Sequence, residues 1–77
     1  MSEFEKIQEV IAEQMGVPKE KIAMETSFAE DLGADSLDVF QIVSELEEIF
    51  EMEFTNEDAE KIRTVGDAVK YIQNARQ

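Results

Sequence analysis

The sequence contains no cysteine and no histidine. Without cysteine the chain forms no disulfide and offers no thiol nucleophile, and without histidine it lacks the usual general base near neutral pH. Both absences argue against catalysis by the side chains of this protein. We therefore expect that the chain is not an enzyme and has no catalytic residues of its own.

Long apolar runs and a basic N-terminal segment are missing as well. No apolar run approaches the roughly 18 residues that a membrane-spanning helix needs. The first five residues, Met-Ser-Glu-Phe-Glu, are acidic where a secretory signal peptide is basic. We therefore expect a soluble cytoplasmic protein that does not insert into a membrane.

Positive charge is scarce: seven Lys and Arg residues stand against 19 Asp and Glu residues, for a net charge of −12. Residues 22–60 contain thirteen of the acids and neither lysine nor arginine. A charge run is usually a solvated face, but one-sided charge over half of a chain favours electrostatic steering. Nucleic acid and anionic membranes would be repelled, so we expect partner proteins with basic docking surfaces.

The residues that are present suffice for one small folded domain. Hydrophobic residues make up 43% of the 77 residues and include five phenylalanines, which excludes disorder despite the charge. A chain of this length buries only about 60% of the surface that its unfolded form exposes. We expect a monomer with a single domain over residues 1–77 and one thin core.

Four segments combine an N-terminal capping residue with apolar residues at helical spacing. Ser2, Thr55 and Thr64 are the predicted caps of the first, third and fourth segments, each with an acid three residues later. No segment shows the alternation that is typical of a strand. The pattern predicts an all-α four-helix bundle with three main helices and one short helix. The predicted helices are Glu3 to Met15, Ser36 to Phe50, Asn56 to Lys61 or Ile62, and the segment from the Thr64 cap to about Ala75.

Segment 17–35 is a long loop between the first two predicted helices, and its apolar residues follow no sustained periodic spacing. A loop of this length is uncommon in so small a domain and indicates internal packing or function. Ser27 and Glu30 repeat the capping-box spacing, so we expect a short turn over residues 28–32 that Gly33 ends. The predicted anchors of the loop in the core are Ile22, Phe28 and Leu32.

On a helical wheel the second predicted helix has a narrow apolar stripe and an acidic opposite side. Leu37 falls nearly opposite the stripe, among polar residues. A single exposed leucine is ordinary, but an apolar residue inside an acidic face is typical of a protein interface with a charged rim. The predicted buried stripe consists of Val39, Ile42, Val43, Leu46, Ile49 and Phe50.

Ser36 is the candidate functional residue, and two roles suit it. A serine before an apolar helical run is most often an N-cap, a role that Asp35 can also fill. Alternatively, the hydroxyl carries a covalent phosphate ester, which the free N–H groups and the positive end of the dipole at a helix N-terminus stabilise. The position alone leaves both roles open.

Residues 31–38 read Asp-Leu-Gly-Ala-Asp-Ser-Leu-Asp and lead into an acidic helix that ends in Leu-Glu-Glu-Ile-Phe at residues 46–50. This stretch closely resembles the attachment site of the acyl carrier proteins of type II, dissociated, fatty-acid synthesis. The similarity extends over nearly the whole chain. The other residues that carry it are Phe28, Glu30 and the segments 57–62 and 64–72.

The resemblance implies that Ser36 carries a covalent 4′-phosphopantetheine arm, which a phosphopantetheinyl transferase takes from coenzyme A. A growing fatty acyl chain would be held as a thioester on the terminal sulfur of the arm, and the chemistry would occur in enzymes of fatty-acid synthesis with basic docking surfaces. The resemblance and the acidic face together assign partner binding to Asp35, Leu37, Asp38, Gln41, Glu45, Glu47 and Glu48.

In carriers of this family the acyl chain is sheltered inside the bundle, beside the second helix. The corresponding residues would also serve as plain core, since a lining has to be apolar in any case. Phe40 is bulky for a lining position and would limit or reshape the pocket. Gln41 and Ser44 replace the glutamate and methionine of many relatives, which removes one charge and one flexible apolar contact from the partner face. The implied acyl-pocket residues are Phe28, Leu32, Val39, Phe40, Val43, Leu46, Ala59, Ile62 and Ala68.

A different class of function, a calcium-binding or acidic adaptor protein, is suggested by Asp31 and the aspartates that follow it. An EF-hand loop needs a glycine at its sixth position and a glutamate at its twelfth. Counted from Asp31, these positions hold Ser36 and Ile42. The motif fails, so we expect no specific metal site, while loose divalent binding to the carboxylates stays open. A carrier of a polyketide or aminoacyl cargo would share the serine and also stays open.

Overall fold

Four α-helices form in the order that the capping residues and the apolar spacing predict. The computed structural model describes residues 2–76, and the predicted domain also includes Met1 and Gln77, which lie outside the described residues. Within residues 2–76 there is no strand. The all-α four-helix bundle with one short helix is confirmed. The helices are α1 (Glu3–Met15), α2 (Ser36–Phe50), α3 (Asn56–Lys61) and α4 (Val65–Ala75).

The helix starts follow from local side-chain hydrogen bonds. Ser2 Oγ accepts the N–H of Glu5 at 3.2 Å at the start of α1, and Thr64 Oγ1 accepts the N–H of Asp67 at 3.2 Å before α4. Asp67 Oδ2 in turn accepts the N–H of Thr64 at 3.1 Å, which completes the predicted capping box. Helix α1 ends at Gly16, whose φ of 68° is accessible to a residue without Cβ.

The core lies where α1 packs against both α2 and α4. Isolated helices of these lengths are marginal in water, so burial of the apolar stripes supplies most of the helical stability. The residues that these three helices contribute to the core are Ile7, Val10, Ile11, Ile42, Leu46, Val65, Ala68, Val69 and Ile72.

The predicted stripe of α2 is buried in the middle of the helix and partly exposed toward its ends. The prediction for Ile49 is wrong, because 42% of this residue is exposed. Ile42, two turns earlier and only about 20° away around the helix, is 1% exposed. Ile49 is therefore exposed because it lies near the C-terminal end of α2, and not because of the side on which it lies. The buried residues of the stripe are Ile42, Val43 and Leu46, and the half-buried ones are Val39 and Phe50.

The loop between α1 and α2 is ordered by contacts with distant parts of the chain. It contains a one-turn 3₁₀-helix, Lys19–Lys21, which is too short to give a periodic signal. Gln8 of α1 donates through Nε2 to the carbonyl of Ile22 at 2.8 Å. Of the predicted anchors, Ile22 and Phe28 are buried, and Leu32 is half-buried against the core.

Loop residues 24–28 are paired with residues 63–66 at the start of α4. The N–H of Gly66 donates to the carbonyl of Met24 at 2.7 Å, and a Cβ at Gly66 would lie 3.0 Å from the same oxygen. The pairing therefore relies on the small size of Gly66. Two more hydrogen bonds hold this pairing together, each at 3.0 Å: Phe28 N–H donates to the Arg63 carbonyl, and Val65 N–H donates to the Thr26 carbonyl. Ser27 and Thr64 also form an isolated antiparallel β-bridge.

The predicted turn before α2 forms, with one difference in its capping. Ser27 Oγ accepts the N–H of Glu30 at 3.1 Å, as the spacing predicts. The reciprocal acceptor is Asp31, whose Oδ2 accepts the N–H of Ser27 at 2.7 Å. Asp31 also donates its N–H to the Ser27 carbonyl at 3.0 Å, which brings its short side chain within reach. Gly33, at a φ of 66°, ends the turn as predicted. No helix within residues 2–76 is both long and apolar enough to cross a bilayer.

Candidate functional site

The start of α2 is capped by two aspartates. The N–H of Asp38 donates to Oδ1 of Asp35 at 3.0 Å, and the N–H of Asp35 donates to Oδ2 of Asp38 at 3.2 Å. This reciprocal pair is a complete capping box with Asp35 as the N-cap. Ser36 is the first helical residue and is exposed. The N-cap role that the sequence left open between Ser36 and Asp35 thus belongs to Asp35.

The backbone that precedes Ser36 is held in place on the core. Ala34 is only 7% exposed, and its N–H donates to the Phe28 carbonyl at 2.8 Å. Gly33, with its positive φ, reverses the chain just before this contact. Two features therefore fix the position of Ser36 at the surface. The buried Ala34 holds the backbone before it, and helix α2, capped by Asp35, holds the backbone after it.

A cavity of about 280 Å³ lies beside Ser36 and is named here the inner cavity. Six of its nine lining residues are apolar, and Asp35, Ser36 and Glu60 are the polar ones. Such a wall suits an apolar group placed close to the serine hydroxyl. The inner cavity is lined by Ala29, Ala34, Asp35, Ser36, Val39, Phe40, Ala59, Glu60 and Ile62.

The structure brings some of the predicted acyl-pocket residues to the inner cavity and places the others in the core. Three further lining residues were missed by sequence reasoning. Ala29 and Ala34 carry no periodic signal because they are small and lie in a loop, and Glu60 is polar. Val39, Phe40, Ala59 and Ile62 line the inner cavity. Phe28, Leu46 and Ala68 belong to the core cluster, Leu32 packs against it, and Val43 is buried. The missed lining residues are Ala29, Ala34 and Glu60.

The outward side of α2 carries exposed apolar surface. Leu37 is 72% exposed, in agreement with its predicted position opposite the stripe, and Phe40 is 42% exposed. A second, more open cavity of about 370 Å³ is named here the outer groove. Gln14 of α1 reaches it and donates through Nε2 to Oε1 of Gln41, a contact that sequence reasoning missed. The outer groove is lined by Gln14, Leu37, Phe40, Gln41, Ser44 and Glu45.

The predicted acidic partner residues fall into two groups. Asp35, Glu45 and Glu48 are exposed. Asp38 and Glu47 are half-buried. Asp35, Asp38 and Glu47 each accept a backbone N–H group, so these three also stabilise the fold. Their contribution to partner binding stays a prediction.

Groups with shifted pKa values lie on α3 and α4. Asp58 Oδ2 accepts the hydroxyls of Thr55 and Tyr71, each at 2.8 Å. The Thr55 hydroxyl first, and then that of Tyr71, lower the pKa of Asp58, while the bond to Asp58 raises the pKa of Tyr71. The backbone N–H of Arg63 has the largest effect in lowering the pKa of Asp67. Within residues 2–76, no cluster of three or more Asp, Glu, His or Cys side chains is arranged to hold a metal ion.

Comparisons with known proteins agree with this geometry. Residues 5–72 match the family described as "phosphopantetheine attachment site". The fold matches an acyl carrier protein from Enterococcus faecalis with a TM-score of 0.79 at 38% identity, over 92% of this chain and 90% of that chain. The chain belongs to the acyl carrier protein family. A candidate acyl carrier protein from Mycobacterium tuberculosis matches with a TM-score of 0.87 at 32% identity, over 94% of this chain and 96% of that chain.

As an acyl carrier protein, the chain has 4′-phosphopantetheine as its cofactor. The described residues fit such a group: an exposed serine stands at a helix N-terminus and borders a cavity that is lined mainly by apolar residues. The N–H groups of the first helical turn and the helix dipole favour a phosphate at this place.

Proposed function

We propose that Ser36 is the residue that carries 4′-phosphopantetheine, and that this chain transports acyl groups of fatty-acid synthesis without catalysing their conversion. The main support for the proposal is that Asp35 and Ser36 have different roles at the start of α2. Asp35 makes the cap, while Ser36 is exposed and lines the inner cavity. When bound, the group supplies a terminal thiol that holds an acyl chain as a thioester.

The other serines of the chain support this choice by contrast. The hydroxyl oxygens of Ser2 and Ser27 accept backbone N–H groups at 3.2 and 3.1 Å and cap local turns. Ser44 is exposed in the middle of α2 and borders the outer groove. Ser36 combines exposure, a helix N-terminus and an adjacent apolar cavity.

The inner cavity is the proposed place for the acyl chain. Val39 and Ile62 contribute branched apolar side chains to its wall, and Ala59 contributes a small one. Each methylene group that becomes fully buried there contributes about 0.8 kcal/mol. The cavity would therefore shelter the chain during transport between enzymes.

The exposed side of α2 is the proposed docking surface for partners. Leu37 projects an apolar side chain, and Asp35, Glu45 and Glu48 supply exposed carboxylates on the same helix or its cap. An apolar contact with a charged rim favours fast docking of basic surfaces and discriminates against acidic ones. The proposed partners are a phosphopantetheinyl transferase and enzymes of fatty-acid synthesis.

Intact mass spectrometry tests the attachment residue. The unmodified protein is incubated with coenzyme A and a broad-specificity phosphopantetheinyl transferase, alongside Ser36→Ala and Ser44→Ala. We expect one phosphopantetheine increment on the parent and on Ser44→Ala, and none on Ser36→Ala. A modified Ser36→Ala protein would refute the assignment, as would a folded parent that takes no increment. Circular dichroism of each protein establishes that it is folded.

A further inference from the structure

Phe40 lines both the inner cavity and the outer groove. It follows Ser36 by four residues on α2, a spacing that places two residues on the same face of a helix, one turn apart. Phe40 is 42% exposed, so part of the residue is covered by the protein and part faces solvent. The residue therefore stands at the boundary between the two spaces.

Phe40 contributes the largest apolar side chain to the lining of the inner cavity. The remaining apolar wall consists of alanines, one valine and one isoleucine, so the phenyl ring is the largest apolar side chain in the lining. An aromatic ring covers a large area with only two rotatable side-chain bonds, which makes it an effective partition. Truncation of this ring would remove the only side chain within residues 2–76 that lines both spaces.

The two spaces differ in how open they are to solvent. Beyond Phe40 the outer groove is lined by Gln14, Gln41, Ser44 and Glu45 besides Leu37, and it is more open than the inner cavity. An acyl chain that passed the ring would therefore be more exposed to solvent. Extra methylene groups there would gain less from burial than those inside the inner cavity.

We propose that Phe40 is a specificity-determining residue, whose ring closes the inner cavity toward the outer groove and sets the length of acyl chain that the carrier shelters. This inference rests on the proposed function, because it takes the inner cavity as the place of the acyl chain. The stabilisation gained by burying the acyl chain increases with each methylene group until the chain reaches the ring. Longer chains gain no further stabilisation.

A series of acylated proteins tests the inference. The phosphopantetheinylated parent, Phe40→Ala, Phe40→Leu and Ile49→Ala are each loaded with straight saturated acyl groups from butyryl to palmitoyl, and loading is verified by intact mass. The measured quantity is the shift in thermal midpoint relative to the same protein without an acyl group. Ile49→Ala is the matched control, since Ile49 is also 42% exposed on α2 but lines neither cavity.

We expect the stabilising shift of the parent to rise with chain length and then to level off. In Phe40→Ala the plateau moves to acyl groups longer by one or more members of the series, and in Ile49→Ala it stays where the parent has it. Phe40→Leu retains a bulky apolar side chain and gives a plateau between the two. It provides the decisive comparison if Phe40→Ala does not fold.

The outcomes separate the two proposals. The same plateau in the parent, in Phe40→Ala and in Phe40→Leu would overturn the role of Phe40 and leave Ser36 and the inner cavity as proposed. A plateau that moves equally in Ile49→Ala would also overturn it, because the effect would not depend on the partition. A parent that no acyl group stabilises, although Ser36 is loaded, would refute the inner cavity as the acyl site and this inference with it.

Discussion

The carboxylates of Asp35 and Asp38 each accept the backbone N–H of the other residue, at 3.0 and 3.2 Å. Ser36 lies between them in the chain and is exposed. A serine at this point of a sequence is ordinarily interpreted as a cap, and here the aspartate before it has that role. Under the proposed function the hydroxyl would be modified while the hydrogen bonds that start α2 stay in place.

Capping by Asp35 predicts unequal effects of two substitutions on the unmodified protein. We expect Asp35→Ala to lower the free energy of unfolding by about 0.5–2 kcal/mol, because the N–H of Asp38 loses its acceptor. Ser36→Ala should change it by less than about 0.5 kcal/mol, as exposed substitutions away from a cap usually do. Urea unfolding followed by circular dichroism measures both values. A loss in Ser36→Ala as large as that in Asp35→Ala would contradict the assignment of the cap.

The close approach of Gly66 to Met24 predicts that a methyl group at this position destabilises the fold. Alanine usually stabilises a helix relative to glycine by about 1 kcal/mol. At Gly66 the new Cβ would stand 3.0 Å from the Met24 carbonyl oxygen, which the neighbouring backbone bonds hold in place. We expect Gly66→Ala to lose about 1 kcal/mol of stability, since strain from overpacking outweighs the propensity gain.

Urea unfolding of Gly66→Ala checks this loss, with Asn74→Ala as a control at an exposed position of the same helix. Amide hydrogen exchange adds a local readout, because the N–H of Val65 should exchange faster once the loop is displaced. A stabilised Gly66→Ala protein with unchanged protection at Val65 would show that the loop moves aside without cost.

The capping box of α4 predicts a dependence of stability on pH. The N–H groups of Arg63 and Thr64 lower the pKa of Asp67 below its ordinary value of 3.8. A folded-state pKa below the unfolded value gives stabilisation that is present above pH 3.8 and is lost as the pH falls through the folded value. We expect Asp67→Asn to be less stable than the parent near neutral pH, and the difference to shrink in acid.

Urea unfolding of the parent and Asp67→Asn, from neutral pH to well below pH 3.8, measures this difference. An NMR titration of the Asp67 carboxyl in the folded parent gives its pKa directly. A difference in stability that is constant over the whole range would mean that the ionisation of Asp67 is not linked to folding.

The exposed acids of α2 predict a salt-dependent effect on partner encounter. We expect Glu48→Lys to slow phosphopantetheinylation by a basic transferase by about two- to tenfold at low salt, because a reversed charge opposes docking. The difference should fade when the ionic strength is raised and exposed charges are screened. Glu13→Lys makes the same change in net charge at an exposed position of α1 and is the matched control.

Initial rates at several salt concentrations measure the effect of both substitutions. Equal slowing by Glu13→Lys and Glu48→Lys would point to net charge instead of a docking surface on α2. Rates of Glu48→Lys equal to those of the parent at low salt would remove the argument for steering.

The bounds of the four helices could be predicted because the signals for them are local. A cap such as Thr64, its partner Asp67 and the apolar residues of the following turns are all read within one short segment. The exposure of Leu37 follows in the same way from the helical period. The candidate serine was also found from sequence, by a run of residues that closely resembles a known attachment site.

The sequence by itself thus determined the helix class, the helix bounds and the candidate residue Ser36, because capping and periodicity act between residues a few positions apart. Only the tertiary structure decided which loop residues pair with the start of α4, that Ile49 is left uncovered and that Gln14 contacts Gln41. The structure also decided that Phe40 borders two cavities. These features depend on how separate helices and loops are placed against one another, and no local pattern of side chains specifies that placement.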